Sequence, residues 1–167
     1  REVVNVLLDA YGSRMAPAPI WERLHSLKRY GMKAGAGFYL YGDRAGQPDP
    51  ELEGILSELR RGQKPPEPFS VNRLVLPMVN EAIRCLEEHV CTAADVDLGV
   101  IAGLGYPQSG GGILHYADDV GLDVVHAELE RLTKTLGERF WPSPLLKRKV
   151  GAGHLGKKTK KGFFEYT

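Results

Sequence analysis

The chain writes one ending twice. "GHLGKKTKKGFFEY" runs from Gly153 to Tyr166, and "RYGMKAGAGFYLY" runs from Arg29 to Tyr41. With Gly31 set on Gly156, 125 positions on, Lys33 meets Lys158, Gly37 meets Gly162, Phe38 meets Phe163 and Tyr41 meets Tyr166. At the same shift Pro19 matches Pro144 and Arg23 matches Arg148. Further back, a shift of 121 pairs Val4 with Val125, Leu8 with Leu129, Tyr11 with Leu132 and Met15 with Leu136. These positions run i, i+4, i+7, i+11, one stripe of a helix. A self-similarity of this kind limits the fold more than any composition value. It makes residues 1–45 the tail of one helical unit, 46–67 a linker with a short helix, and 68–167 a second, complete unit.

The local signals are helical. Arg1–Met15 and Pro19–Arg29 read as helices, with Pro19 suited to a first turn. "GFYLYG" reads as a short extended piece and "DRAGQPDP" as a loop. Asp49 is placed to cap, and Pro50 to open, a helix carrying Leu52, Ile55, Leu56 and Leu59. Arg60–Pro68 reads as a polar linker. A long helix is expected from Ser70 to Glu88, with Val71, Leu74, Val75, Met78, Ala82 and Leu86 on one face and a kink at Pro77. Thr92 and Asp95 have the spacing of a capping box. Ile113–Asp118, Leu122–Leu136 and Pro144–Ala152 complete the set. Almost nothing alternates with period two, so the fold class is mainly α.

Composition removes several functions. The 167 residues carry a net charge of +1, which selects no partner. Cys85 and Cys91 lie six apart, which fits neither a zinc site nor a disulfide framework; a reduced, cytoplasmic thiol pair is expected. No apolar run approaches the roughly 18 residues of a membrane span. The chain opens on "REVVNVLL", without a signal peptide and without Met, and reads as part of a longer polypeptide.

The chemical motifs are weak one by one. Gly151-Ala-Gly153-His-Leu-Gly156 spells G-x-G-x-x-G, but a dinucleotide fingerprint needs a strand before the glycines and a helix after them. "LLKRKV" reads as helix instead. The basic tail, Lys147 to Lys161, leaves open a helical nucleic-acid-binding module, although stacking aromatics are not interleaved with it. His115 and Asp118, three apart, read as a local hydrogen-bonded pair. Gly110-Gly111-Gly112 reads as a plain loop leading into a helix, with anion binding as its alternative. Asn72 and Glu81 are polar positions on a largely apolar helix.

Taken in order, the motifs are more specific. "VNRLVLPMVNEAIRCLEEHVCTAADVDLGVIAGLGYP", then "ILHYADDVGLDVV", then "GKKTKKGFFEY" resemble the helical C-terminal domain of 3-hydroxyacyl-CoA dehydrogenases. That family has a kinked long helix, an acidic pair of the D-x-D kind, a G-Y/F-P loop, a D-x-x-G-L helix and a K-K-T-G…F ending. The doubled ending resembles the tandem helical domains of the multifunctional enzymes of fatty-acid β-oxidation, such as the alpha subunit of the bacterial oxidation complex.

The resemblance implies a parent that oxidises L-3-hydroxyacyl-CoA with NAD and carries an enoyl-CoA hydratase domain. Its NAD-binding domain and the rest of its first helical domain would lie outside this chain. It implies an acyl-CoA substrate and a thiolase subunit among the partners, and no nucleic acid. The truncated first unit, Arg1–Gly42, is expected to expose apolar patches and to self-associate. The second helical copy would imitate the partner subunit of single-repeat dehydrogenases. This chain alone would bind no cofactor and show no activity. Asn72, in Val71-Asn72-Arg73, matches the family's site-orienting asparagine and is the one candidate catalytic residue; in tandem proteins the working copy belongs to the first repeat. "SGGG" and "KKTKK" depart from the family's G-P and K-K-T-G, as a relaxed copy would.

Overall fold

A computed structural model describes residues 2–15, 17–42, 46–61 and 67–167. Part of the expected loop (43–45) and most of the expected linker (62–66) lie outside the described residues. The chain divides into two compact units, Arg1–Pro66 and Glu67–Thr167.

The first unit holds α1 (Glu2–Tyr11), continued by a 3-10 turn over Gly12–Met15, then α2 (Ile20–Ser26) and a 3-10 turn at Met32–Ala34. Strands β1 (Leu40–Tyr41) and β2 (Gly46–Gln47) pair antiparallel. Helix α3 (Pro50–Arg60) follows, with Asp49 accepting from the Glu51 amide as its cap. Both β2 and α3 fall in the segment expected as a linker, yet they cluster with the first unit. Arg29 explains this. It is buried, it donates through Nε to the Gly37 carbonyl at 3.1 Å, and its guanidinium pairs with Asp49 and, at 3.0 Å, with Glu51.

The second unit contains α4 (Asn72–Glu87), α5 (Ala93–Leu104), α6 (Ile113–Val120), α7 (Leu122–Leu136) and α8 (Pro144–Gly151). The Thr92–Asp95 capping box opens α5, with both reciprocal bonds present. Its core is Leu76, Val79 and Ile83 from α4, Ile113, Leu114 and Ala117 from α6, and Leu122, Val125, Leu129 and Leu132 from α7, closed by Phe140 and Leu146. Each fully buried Leu or Ile contributes about 1.5–3 kcal/mol by leaving water. The α7 stripe is the expected one.

The α4 face is only partly the expected one. The helix continues through Pro77 and buries Leu76, Val79, Asn80, Ala82 and Ile83. Of the expected stripe, Ala82 is buried and Val75 and Leu86 pack against the core, whereas Val71, at the helix start, Leu74 and Met78 are exposed. The helix has apolar residues on two sides, so periodicity alone does not fix which side turns inward. Asn80 is buried because it bridges chain segments. Its Nδ2 donates to the Trp141 carbonyl and its Oδ1 accepts from the Ser143 amide, each at 2.8 Å. A buried amide with both ends satisfied costs little and fixes the α7–α8 connection against α4.

The two endings that match in sequence also share most of their backbone bonds. Gly31 and Gly156 have φ/ψ of 86/−149° and 91/−150°. The Gly31 amide donates to the Ala36 carbonyl at 2.8 Å, and the Gly156 amide to that of Lys161 at 2.9 Å. Gly37 bonds Tyr39 as Gly162 bonds Phe164, both at 2.9 Å, and Tyr41 bonds Gly35 as Tyr166 bonds Lys160. The isolated bridges fall at the same 125-residue offset. The helical parts differ in environment: Leu129 is 0% exposed, while Leu8 is 36% exposed.

Candidate functional site

Asn72 lies in the first turn of α4. Beside it stands an ion cluster built on Arg131 of α7. Arg131 donates from Nε and Nη2 to Glu128 at 2.8 Å each, and its guanidinium also pairs with Glu67. These hydrogen bonds hold the Glu67 and Glu128 carboxyls below the usual range, with Asn72 adding a smaller side-chain bond to Glu128. The neighbours of Asn72 are thus charged and close to solvent.

A second polar group sits deeper and joins three elements. Asp97 of α5 is buried and points at the start of α6. It accepts from the Leu114 amide at 2.7 Å, from the His115 amide at 3.2 Å, and lies 2.7 Å from His115 Nδ1. The helix start that the glycine run offers to an anion therefore already holds one, from the chain itself. Gly112 makes this possible: at φ 121°, a Cβ there would fall inside the Asp97 carboxylate. His115 pairs with Asp97 and not with Asp118. Its ring stacks on Phe164 with centroids 3.8 Å apart.

Asp118, 1% exposed, turns instead to the final segment. Its Oδ1 accepts from the Phe163 amide at 3.0 Å; its Oδ2 accepts from the Phe164 amide at 3.0 Å and the Tyr166 hydroxyl at 2.9 Å. Gly162 permits the approach, since a Cβ would overlap the same carboxylate. Burial first, and then the Asp118 hydrogen bond, push the Tyr166 hydroxyl well above the ordinary phenol range. Lys149 completes the seat: its Nζ donates to the Gly162 carbonyl at 2.6 Å and lies over the Phe163 ring, and burial pulls its pKa down.

This arrangement holds parts together; it presents no nucleophile with a base beside it. Among the described residues no group of three metal-capable side chains occurs, and no helix is long and apolar enough to cross a membrane. The G-x-G-x-x-G letters follow helix α8, with no strand before them. The described strands are two residues long and antiparallel, so no βαβ unit receives a dinucleotide here. NAD does not fit the described residues. Part of the basic tail is engaged internally: Lys157 pairs with Asp119 and Lys158 with Asp123, each at 2.5 Å. Cys85 and Cys91 are free thiols.

Asp97 and Asp118 were the legible pieces of the D-x-D and D-x-x-G-L motifs, but their partners lie on other elements. The profile described as "3-hydroxyacyl-CoA dehydrogenase, C-terminal domain" matches residues 69–166. Among solved structures, FadB2 of M. tuberculosis is 34% identical, with a TM-score of 0.56, over 72% of this chain and 44% of that one. The (S)-3-hydroxybutyryl-CoA dehydrogenase PaaH1 of Ralstonia eutropha is 30% identical, with a TM-score of 0.56 and the same two coverages. The dehydrogenase part of multifunctional enzyme 1 from C. elegans is 28% identical, with a TM-score of 0.59, over 88% of this chain and 35% of that one. The chain spans under half the length of each of these.

Proposed function

Because the chain belongs to the 3-hydroxyacyl-CoA dehydrogenase C-terminal-domain family, we propose that it is the packing portion of an NAD-dependent L-3-hydroxyacyl-CoA dehydrogenase of fatty-acid β-oxidation. The match over 69–166, which coincides with the second unit, carries this reading. The parent is multifunctional, with tandem helical repeats and a hydratase domain, and works in the cytoplasm. The doubled ending and the 88% coverage by the nematode multifunctional enzyme support the tandem form.

In the parent, a separate domain holds NAD, and acyl-CoA is the substrate. This chain binds no cofactor by itself and is inactive alone. Its contribution is surface: Val71 and Leu74 of α4 and Leu98 and Leu104 of α5 are each at least 60% exposed. Apolar side chains displayed this way suit association with the rest of the parent, with a second copy, or with a thiolase subunit. Asn72 has a catalytic use only if the NAD-binding domain reaches it.

The test is complementation. The purified chain, assayed with NAD and an L-3-hydroxyacyl-CoA, should yield no NADH; adding the parent's amino-terminal part should restore turnover. NADH production by the chain alone would overturn the proposal.

A further inference from the structure

The second unit shows what its closing turn requires, and the first unit has the same turn without it. In the second unit one carboxylate, Asp118, accepts from two successive amides, Phe163 and Phe164, and from the Tyr166 hydroxyl. Their counterparts are the Phe38 and Tyr39 amides and the Tyr41 hydroxyl, held by the same backbone bonds at the same offset. Among the described residues none of these three donors finds an acceptor. Even the cation on the turn is retained: Arg29 donates to the Gly37 carbonyl where Lys149 donates to that of Gly162.

The surrounding space points the same way. A half-open cleft of about 680 Å³ is lined by Val4, Leu8, Trp21, Leu24, Phe38 and Tyr41, among others. At the two repeat shifts, Val4, Leu8 and Trp21 correspond to Val125, Leu129 and Leu146, which are all but fully buried. In the second unit α6 packs on α7, α4 packs on α7 and α8, and α6 carries Asp118.

We infer that this cleft seats a helix of the α6 kind, from the parent polypeptide immediately before Arg1, whose last turn carries a carboxylate that latches onto the Phe38 and Tyr39 amides and the Tyr41 hydroxyl. The inference rests on the tandem reading above. The 121-residue shift sets Gly121 opposite the residue just before Arg1 and Asp118 opposite the fourth residue before it. Charge complementarity selects the occupant: paired amides with a hydroxyl beside them accept an anion, and the apolar walls accept a helix face.

The experiment extends the whole chain. A copy of Gly112–Gly121, "GILHYADDVG", is placed before Arg1 in a W141F background, so that Trp21 alone reports the cleft. A second extension carries alanine at the position of Asp118. Amide exchange at Phe38 and Tyr39 and acrylamide quenching of Trp21 are read against the unextended chain. The aspartate extension should slow both amides by about tenfold or more, the effect expected of a charge-assisted hydrogen bond; the alanine extension should not.

Equal exchange in the two extensions overturns the latch. Trp21 quenching unchanged by either extension overturns the helix. Protection that grows with concentration in the unextended chain makes the occupant a second copy and also overturns it. If the extended chains do not fold, the parent's sequence decides: no Asp or Glu three to five residues before Arg1 refutes the latch. Each failure leaves the complementation test intact, because that reading stands on the second unit.

Discussion

Replacing Asp118 by alanine tests the polar centre of the second unit. The carboxylate accepts three hydrogen bonds, two of them from backbone amides with no other acceptor among the described residues. A stranded buried donor costs about 1–3 kcal/mol. Phe163, Phe164 and Tyr166 are only half-buried, so water recovers part of the loss and the low end applies. The total is about 3 kcal/mol. With a urea slope of about 1.5 kcal/mol per molar for a unit of this size, the midpoint should fall by about 2 M. In a W21F background, Trp141 fluorescence follows the second unit alone. D118N should fare little better: the amides use different oxygens, so Asn keeps one acceptor and sets its own NH2 group against a donor. A midpoint shift below about 0.3 M for D118A, or a D118N protein indistinguishable from wild type, would refute the assignment of Asp118 as the clamp on the final turn.

Lys160 adopts φ 57° where the family's K-K-T-G pattern has glycine and where the first unit has Gly35 at φ 71°; K160G should raise stability by about 0.5–1 kcal/mol, read as a higher thermal midpoint. L129A should cost about 2–5 kcal/mol in urea unfolding, whereas L8A, its repeat counterpart with 36% exposure, should cost less than about 1. Glu67 and Glu128, ordinarily near 4.5, have depressed pKa values in the folded chain, mainly through hydrogen bonds to Arg131. Their contribution is complete above that value and is lost as pH falls through the lower folded values, so the urea midpoint should drop on acidification below about pH 4.5, and more steeply in wild type than in R131Q.

Local features were the most readable in the sequence. The Asp49 cap, the Thr92–Asp95 box and the Leu122–Leu136 stripe depend on residues within a few positions of each other, and spacing reveals them. The repeat was readable because its unit carries rare residues, glycines and aromatics, at fixed intervals. Three things were not. Helix α4 offers two apolar stripes, and only tertiary contact decides that Val79 and Ile83 face inward while Leu74 and Met78 do not. His115 and Asp118 stand three apart on one helix, yet partners 18 and 45 residues away, Asp97 and Phe163, win them, because the Asp97 carboxylate reaches the start of α6 and the closing turn aims two amides and a hydroxyl at Asp118. A motif marks Asn72, but the ion cluster beside it, Arg131 with Glu67 and Glu128, is set by how the elements pack.

Arg29 has a practical consequence for anyone dividing this protein. It is a dowel through three pieces: the turn at Gly37, the cap at Asp49 and the first turn of α3 at Glu51. A cut soon after Gly42, where the repeated ending stops, would take both acids away and leave the guanidinium only its bond to the Gly37 carbonyl. A cut beyond Arg60 keeps the joint whole, so a sequence repeat and a separable piece of protein need not share a border.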